Sequence, residues 1–366
     1  MQTVKLPFYA RLALTLLAVI LVCFILKVAS NIFIPLVFGL LIAILLYPLN
    51  RFFENKLHLG RVGSAALSVL LFISAFVGFI YFLAIQIIGF SSDVPQLRKR
   101  FQEILSGFQN WLSYKLHITS RQQSDYLNRS SNGILDSLAH SMSGLFLSIT
   151  GILLLTVFVL IFTFFMLYHR KLLMRFVLHL FSIQYREKVR EVIRETKTMI
   201  YSYVFGLLIE MLALSIVNST MFLIMGIPYA LLLGVMAAVL NIIPYLGIYS
   251  SIVITMLVTL ANSTGGMALE AGIGLFIVHL LDANILFPRI VGGRVKMNPF
   301  ITIVAVILGE FLWGIPGMFL FIPITGIIKM ISDRVDGMEA WGILIGVEEV
   351  EKKPRKKITL HDDQPK

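Results

Sequence analysis

Long apolar runs constrain the fold of this chain more than any other feature of its sequence. A helix rises about 1.5 Å per residue, so about 20 apolar residues cross the roughly 30 Å hydrocarbon core of a bilayer. Hydrophobic residues make up 58% of the 366 residues and charged residues 14%, against about half and about a quarter in soluble domains. The sequence predicts an all-α polytopic membrane protein with about eight hydrophobic segments, near 12–26, 32–49, 64–88, 145–168, 202–225, 229–261, 266–287 and 300–330.

Several other classes of protein fit the sequence poorly. The net charge of +11 does not indicate nucleic-acid binding, because the cations cluster at the ends of apolar runs. The first run resembles a secretory signal, but apolar character resumes at Ile32, which favours a helical hairpin. Cys23 is the only cysteine, so one chain can build neither a disulfide nor a cysteine-based metal site.

Basic loops predict the orientation of the chain, since Lys and Arg favour the cytoplasmic side. Loops 51–61, 169–201 and 288–298 and the tail at 352–357 are all basic, which places both termini in the cytoplasm. Within the second loop, apolar residues between 189 and 200 line one side of a charged helix that can lie on the membrane or on a neighbouring subunit.

The region 91–143 differs from the rest in its mixed charge and its Asn and Ser content. Its apolar residues recur every three or four positions, which predicts an amphipathic helix through Leu97, Phe101, Ile104, Phe108 and Trp111. We therefore expect five regions: a three-span unit (1–90), an extracytoplasmic helical insert (91–143), a fourth span with the basic helix (144–201), a transport core (202–333) and a charged cytoplasmic tail (334–366).

Two of the apolar segments are interrupted near their middle, at 241–247 and at 313–317. Proline and glycine at these positions predict breaks in the helix. The pieces 230–240 and 248–261 rise only about 17 and 21 Å, so neither spans a bilayer alone. Paired broken segments indicate a transport site, because exposed backbone at membrane depth needs a cavity or a protein partner.

The positions of the basic loops favour re-entrant hairpins at both breaks. The loops 169–201 and 288–298 both look cytoplasmic, so the chain between them crosses an even number of times. The spans 202–225 and 266–287 already supply two crossings, so segment 229–261 would enter and leave by one face. The basic tail at 352–357 gives the same result for segment 300–330, which would enter and leave by the other face. The alternative is two kinked spans and eight crossings.

Glu210 is the first acid inside an apolar run, with small and polar neighbours at Tyr203, Gly206 and Ala213. Such a stripe faces protein rather than lipid. The acid has either a structural hydrogen bond or a role in binding a proton or substrate. Glu270 and Glu310 are weaker candidates because they stand near segment edges or breaks.

Asp282 is the second acid at membrane depth, where an unpaired charge costs about 2.5–3.5 kcal/mol or more. His279 shares its helix face, and Arg289 lies two turns further on, although Pro288 makes a continuous helix there uncertain. Pairing with either residue, and binding of a proton or a transported cation, all remain open.

The motifs around both breaks resemble the autoinducer-2 exporter family of bacterial membrane proteins over nearly the whole chain. They run Asn241-Ile-Ile-Pro-Tyr-Leu-Gly247, Asp282-x-Asn-x-Leu-x-Pro-x-Ile-x-Gly292, Asn298-Pro299 and Trp313-Gly-Ile-Pro-Gly317. The resemblance implies a multi-pass inner-membrane transporter, homo-oligomeric, linked to autoinducer-2 export or to sodium or lithium exchange for protons. Asp282 stands where the family pattern usually has Glu.

Three functions stay open: export of a small polar solute, cation/proton antiport, and an uncoupled channel or scaffold. We expect the protein not to be an enzyme and to have no cofactor or metal site. His169, His179 and His279 are not spaced as metal ligands on one element, and no catalytic sequence motif stands in a suitable setting. The proton-coupling candidates are Glu210, Asp282 and Glu310. The substrate or ion candidates are Asn241, Pro244, Tyr245, Gly247, Asp282, Asn284, Pro288, Arg289, Gly314, Pro316 and Gly317.

Overall fold

A computed structural model describes residues 7–91, 153–244, 246–292, 297–335 and 337–347, with isolated residues at 99, 103, 106, 107 and 151. The predicted amphipathic helix of the 91–143 insert and the tail beyond 347 lie outside the described residues, as does Tyr245.

Helices make up almost all of the described chain, which confirms the all-α prediction. Six helical stretches are long and apolar enough to cross a membrane, or seven with the bent pair α4 and α5, and two shorter apolar helices accompany them. The helices are α1 (Phe8–Val28), α2 (Ser30–Lys56), α3 (Arg61–Ser91), α4 (Leu153–Tyr168), α5 (Arg170–His179), α6 (Arg186–Ile224), α7 (Ala230–Leu240), α8 (Leu246–Asn262), α9 (Gly265–Leu281), α10 (Pro299–Ser332) and α11 (Glu339–Ile345).

Helices α2, α3 and α4 form a small bundle at the N-terminal side. Small residues bring the backbones close together: a Cβ at Gly39 would lie 2.8 Å from the Phe162 Cβ. Thr163 donates hydrogen bonds from its hydroxyl to the Gly39 and Val159 carbonyl oxygens. Helix α5 bends away from α4 by 74°, and Arg170 at its start pairs with Glu54 of α2.

Helix α6 is the central element, and it joins the predicted cytoplasmic helix and the fifth span into one helix of 39 residues. Its first half packs against α2 and α10. The rings of Phe38 and Tyr203 both contact Phe319, with centroids 5.9 and 6.0 Å away. Its second half packs against α7 and α9.

Helices α7 and α8 form a hairpin that enters and leaves at the C-terminal end of α6. Ala230 at the start of the hairpin packs with Ile227, and Val258 near its end packs in the same apolar cluster, beside Met267 of α9. The first arm ends at Leu240 and the second begins at Leu246, so the helix breaks within the predicted interruption at 241–247.

Helix α10 reverses direction at Gly314, whose φ of 63° and ψ of −144° are not helical. A Cβ at Gly317 would lie 1.9 Å from the Gly309 carbonyl oxygen. Eight residues of continuous helix would separate these backbones by about 12 Å. The segment is therefore a second hairpin, and its arms touch backbone to backbone because both positions are glycine.

Both ends of the second hairpin lie beside α11. The Asn298 backbone N–H donates to the Ile345 carbonyl oxygen at 2.9 Å, and a Cβ at Gly346 would lie 3.3 Å from the Lys329 Cε. Arg334, just past the hairpin, pairs with Glu195 in the first half of α6. The two hairpins thus approach from opposite ends of α6, as the basic loops predict. Two kinked spans do not fit these contacts.

Gly317→Val should destabilise the protein, because a backbone oxygen blocks the added side chain and cannot move independently. Overpacking of this kind costs about 1–3 kcal/mol. We expect the thermal midpoint of the detergent-purified protein to fall by several degrees. The control is Gly78→Val, because nothing lies within 4 Å of the Gly78 position; equal midpoints for the two variants would contradict the close contact.

Single cysteines in a Cys23→Ala background should report the two hairpins directly. We expect Ile224→Cys and Gly265→Cys to react with an impermeant thiol reagent from one membrane face, and Phe300→Cys and Val335→Cys from the other. Helix α6 separates the two pairs, and each hairpin returns to its own side. Labelling of Ile224→Cys and Gly265→Cys from opposite faces would show that 229–262 crosses the membrane instead.

Candidate functional site

Two carboxyl groups from different helices meet inside the second half of the molecule. Glu210 of α6 and Asp282 at the end of α9 are 4% and 3% exposed, and their carboxyl groups lie close enough to interact electrostatically. We call these two residues the acid pair. Helices α6 and α9 are held together at this level by Leu214, Val278 and Ala238.

Glu210 points inward because it belongs to the buried face of α6. That face repeats every three or four residues, as expected for a helix packed on one side, and the positions nearest the acid are Gly206 and Leu214. Two helical turns beyond Glu210 the same face carries Asn218, which is 4% exposed.

Asp282 begins a widened stretch of backbone. Residues Asp282–Leu286 and Pro288–Gly292 each form a π-helical turn. Pro288 has no backbone N–H to donate to the preceding turn, so a regular α-helix is interrupted here. Such π turns are rare and are frequently found at functional sites.

The tip of the first hairpin holds Asp282 in place. The Asn241 side-chain amide donates to the Asp282 Oδ2 at 3.1 Å. A Cβ at Gly247 would lie 1.9 Å from the Leu240 carbonyl oxygen, so glycine is what allows the chain to turn this tightly. Pro244 lies in the turn between the two arms, where its missing N–H interrupts the helix.

A small cavity of about 20 Å³ lies beside Asp282. A water molecule needs about 10–15 Å³ of such space, so the cavity has room for one or two waters or for one bare ion. Several polar atoms at this site have no hydrogen-bond partner among the described residues: Glu210 Oε2, Asp282 Oδ1, His279 Nδ1 and Asn218 Oδ1. The lining residues are Leu214, Asn218, Ala237, Asn241, Ile248, Ser251, Leu275, Val278, His279 and Asp282.

The structure brings only some of the site residues predicted from the sequence together at the cavity. Asn284 is exposed, and its amide donates to the Leu280 carbonyl oxygen of its own helix. Pro288 and Arg289 are also exposed, and in the described part of the chain no ion pair joins Asp282 to Arg289. His279, by contrast, is close enough to act electrostatically on Asp282.

The tip of the second hairpin forms a separate feature. Next to Gly314, the Trp313 indole donates to the Leu26 carbonyl oxygen at 2.9 Å, and Lys27 donates to the Phe311 carbonyl oxygen at 3.1 Å. Pro316 and Gly317 begin the returning arm. Among the described residues, no hydrogen bond links this tip to the acid pair, and Glu270 and Glu310 are exposed.

Sequence reasoning missed Asn218 and Ser251, which share the cavity with Asp282. A signal for Asn218 was present, since positions 210, 214 and 218 repeat every four residues on one helix face. Ser251 gave a weaker signal, because serine in an apolar helix usually bonds to its own backbone, as its 2.6 Å bond to the Gly247 carbonyl oxygen does here.

Comparisons with known proteins agree with this architecture. The sequence profile described as AI-2E family transporter matches residues 14–337. YrrI and YueF of Bacillus subtilis (strain 168), both named as candidate transport proteins, are each 26% identical, and the matches cover 83% and 86% of this chain and 86% and 90% of theirs. The AI-2 transport protein TqsA of Escherichia coli (strain K12) is 23% identical over 89% of this chain and 92% of its own.

The match to the profile covers most of the chain and includes both hairpins and the acid pair. The protein is therefore a multi-pass membrane transporter that belongs to the AI-2E family.

Proposed function

We propose that this protein is a secondary transporter that exchanges protons for a monovalent cation, sodium or lithium, at the acid pair. The observation that carries the proposal is the contact between two almost completely buried carboxyl groups beside a cavity of about 20 Å³.

Repulsion between two buried carboxylates makes the acid pair a site where a proton and a cation can replace each other. Two unit negative charges about 4 Å apart repel by about 4 kcal/mol at an effective dielectric constant of about 20. Burial adds a further cost for each ionised carboxylate. The pair is stable with a bound proton or with a bound cation, and the two compete because both neutralise the same charge.

The oxygen atoms around the pair suit a small cation. Hard cations bind carboxylate, amide and carbonyl oxygens, and Glu210 Oε2, Asp282 Oδ1 and Asn218 Oδ1 are all unpartnered in the described structure. Broken helices in transporters supply further carbonyl oxygens at the break, and the break after Leu240 reaches Asp282 through Asn241.

Export of a small polar solute is the second candidate, and the name of the AI-2 transport protein TqsA favours it. Pockets for organic ligands usually occupy about 300–1,000 Å³, far more than this cavity. Solute export would require the α7–α8 hairpin to move away from α9, with the acid pair then carrying the coupling proton.

We further propose that the protein lies in the bacterial inner membrane with both termini in the cytoplasm, as its basic loops indicate. The family resemblance implies a homo-oligomer. Helix α1 has no buried residue, so the part of its surface that does not touch the second hairpin is available for lipid or for a second copy of the chain.

Asp282→Asn should abolish coupled transport. The amide keeps the shape of the carboxylate but can neither release a proton nor carry a negative charge. In proteoliposomes with an outward proton gradient, we expect wild-type protein to accumulate ²²Na⁺ and the variant to show only leakage. Glu210→Gln should lose accumulation to a similar extent.

The matched control is Glu270→Gln, which changes an exposed acid on the same helix as Asp282. It should accumulate the ion like wild type, and all variants should reach the membrane in similar amounts. Undiminished uphill flux in Asp282→Asn would remove Asp282 from the mechanism. A wild-type protein that moves a polar solute but no ²²Na⁺ would favour the second candidate.

A further inference from the structure

One face of α8 carries buried hydroxyl groups from the acid-pair cavity to the end of the helix. Ser251 lines the cavity, and Thr255 and Thr259 follow at four-residue intervals, so they continue the same helix face. The three residues are 1%, 0% and 0% exposed. From Ser251 to Thr259 the helix rises about 12 Å, which brings the stripe close to the end of α8 at Asn262.

The two threonines differ from most hydroxyl residues in the helices of this protein. Serine and threonine in apolar helices usually donate to the carbonyl four residues earlier, as Ser251, Ser215 and Thr325 do here at 2.6–2.7 Å. The hydroxyls of Thr255 and Thr259 have no hydrogen-bond partner in the described structure. Buried polar groups without protein partners are typically satisfied by ordered water.

Asn218 joins this stripe to the acid pair from the opposite helix. It lines the same cavity as Ser251 and Asp282, and its side-chain oxygen is also unpartnered. Asp282, Asn218 and Ser251 line the cavity, and Thr255 and Thr259 continue from Ser251 along α8 toward the loop at 263–264.

We infer that Asn218, Ser251, Thr255 and Thr259 hold a file of water molecules that conducts protons between the acid pair and the membrane face at the α8–α9 loop. The inference rests on the proposed function, because it assigns the route by which the exchanged proton leaves. A carboxyl O–H bond breaks, an O–H bond forms on the first water, and successive waters pass the proton to bulk solvent. The cation that replaces it keeps the charge balanced.

Thr255→Val combined with Thr259→Val tests the route in the full-length protein. Valine keeps the branched shape and removes only the hydroxyls, so the fold should persist. We expect the rate of proton-coupled ²²Na⁺ exchange to fall at least tenfold while the half-saturating Na⁺ concentration stays within twofold. Thr255→Ser with Thr259→Ser should restore the rate, and Thr325→Val, whose hydroxyl bonds to its own helix, should exchange like wild type.

Cysteine reactivity tests the water file without relying on transport. In a Cys23→Ala background, Thr255→Cys and Thr259→Cys should react with Ag⁺ added from the face that labels Gly265→Cys. Leu257→Cys, on the exposed apolar side of the same helix, should stay unreactive in lipid. Reaction at Thr255 and Thr259 but not at Leu257 supports the file even if the exchanged ion differs from sodium.

Two results would overturn the inference. The first is a double valine variant that exchanges at the wild-type rate. The second is a cysteine at 255 as inert toward Ag⁺ as the one at 257. Failure of wild-type protein itself to exchange cations for protons would instead count against the proposed function, and the Ag⁺ result would still decide whether the file exists.

Discussion

Two carboxyl groups in contact within an apolar helix bundle cannot both be ionised without a counter-charge beside them. Glu210 and Asp282 meet this condition, because each is almost fully buried and each keeps one carboxyl oxygen without a partner in the described structure. The rest of the core is arranged around them: α6 and α9 bring the two acids together, and the first hairpin closes over Asp282 through Asn241. The proposed exchange of a proton for a cation needs a site of this kind, whose charge changes with its occupant.

Glycine makes the two hairpins possible. At Gly247 in the first hairpin and at Gly309 and Gly317 in the second, any side chain would collide with a carbonyl oxygen of the facing arm. Close backbone approach through small residues is the usual way in which membrane helices associate, because lipid provides no hydrophobic drive for larger side chains to meet. The hairpins therefore bring broken backbone into the protein interior while their apolar surfaces remain compatible with lipid.

Much of the fold was predictable from the sequence, because its causes are local. The length of the apolar runs predicts the helices, and Pro244 and Gly314 predict the breaks. The basic loops require an even number of crossings between them, which predicts hairpins that enter from opposite ends. The partner of Asp282 was not predictable in the same way, because Glu210 lies on another helix that is far away in the sequence. Helix geometry offered His279 and Arg289 as partners; the π turns at Asp282–Leu286 and Pro288–Gly292 leave Arg289 exposed.

In the proposed exchange, a proton and a cation compete for the acid pair. The most direct measurement is proton release when NaCl or LiCl is added to purified protein in weakly buffered detergent, followed with a pH-sensitive dye against choline chloride. Because ligands must lose their protons to bind a cation, the account predicts saturable release of about one proton per bound cation, absent when both acids are replaced by amides. Cation binding without proton release in the wild-type protein would contradict it.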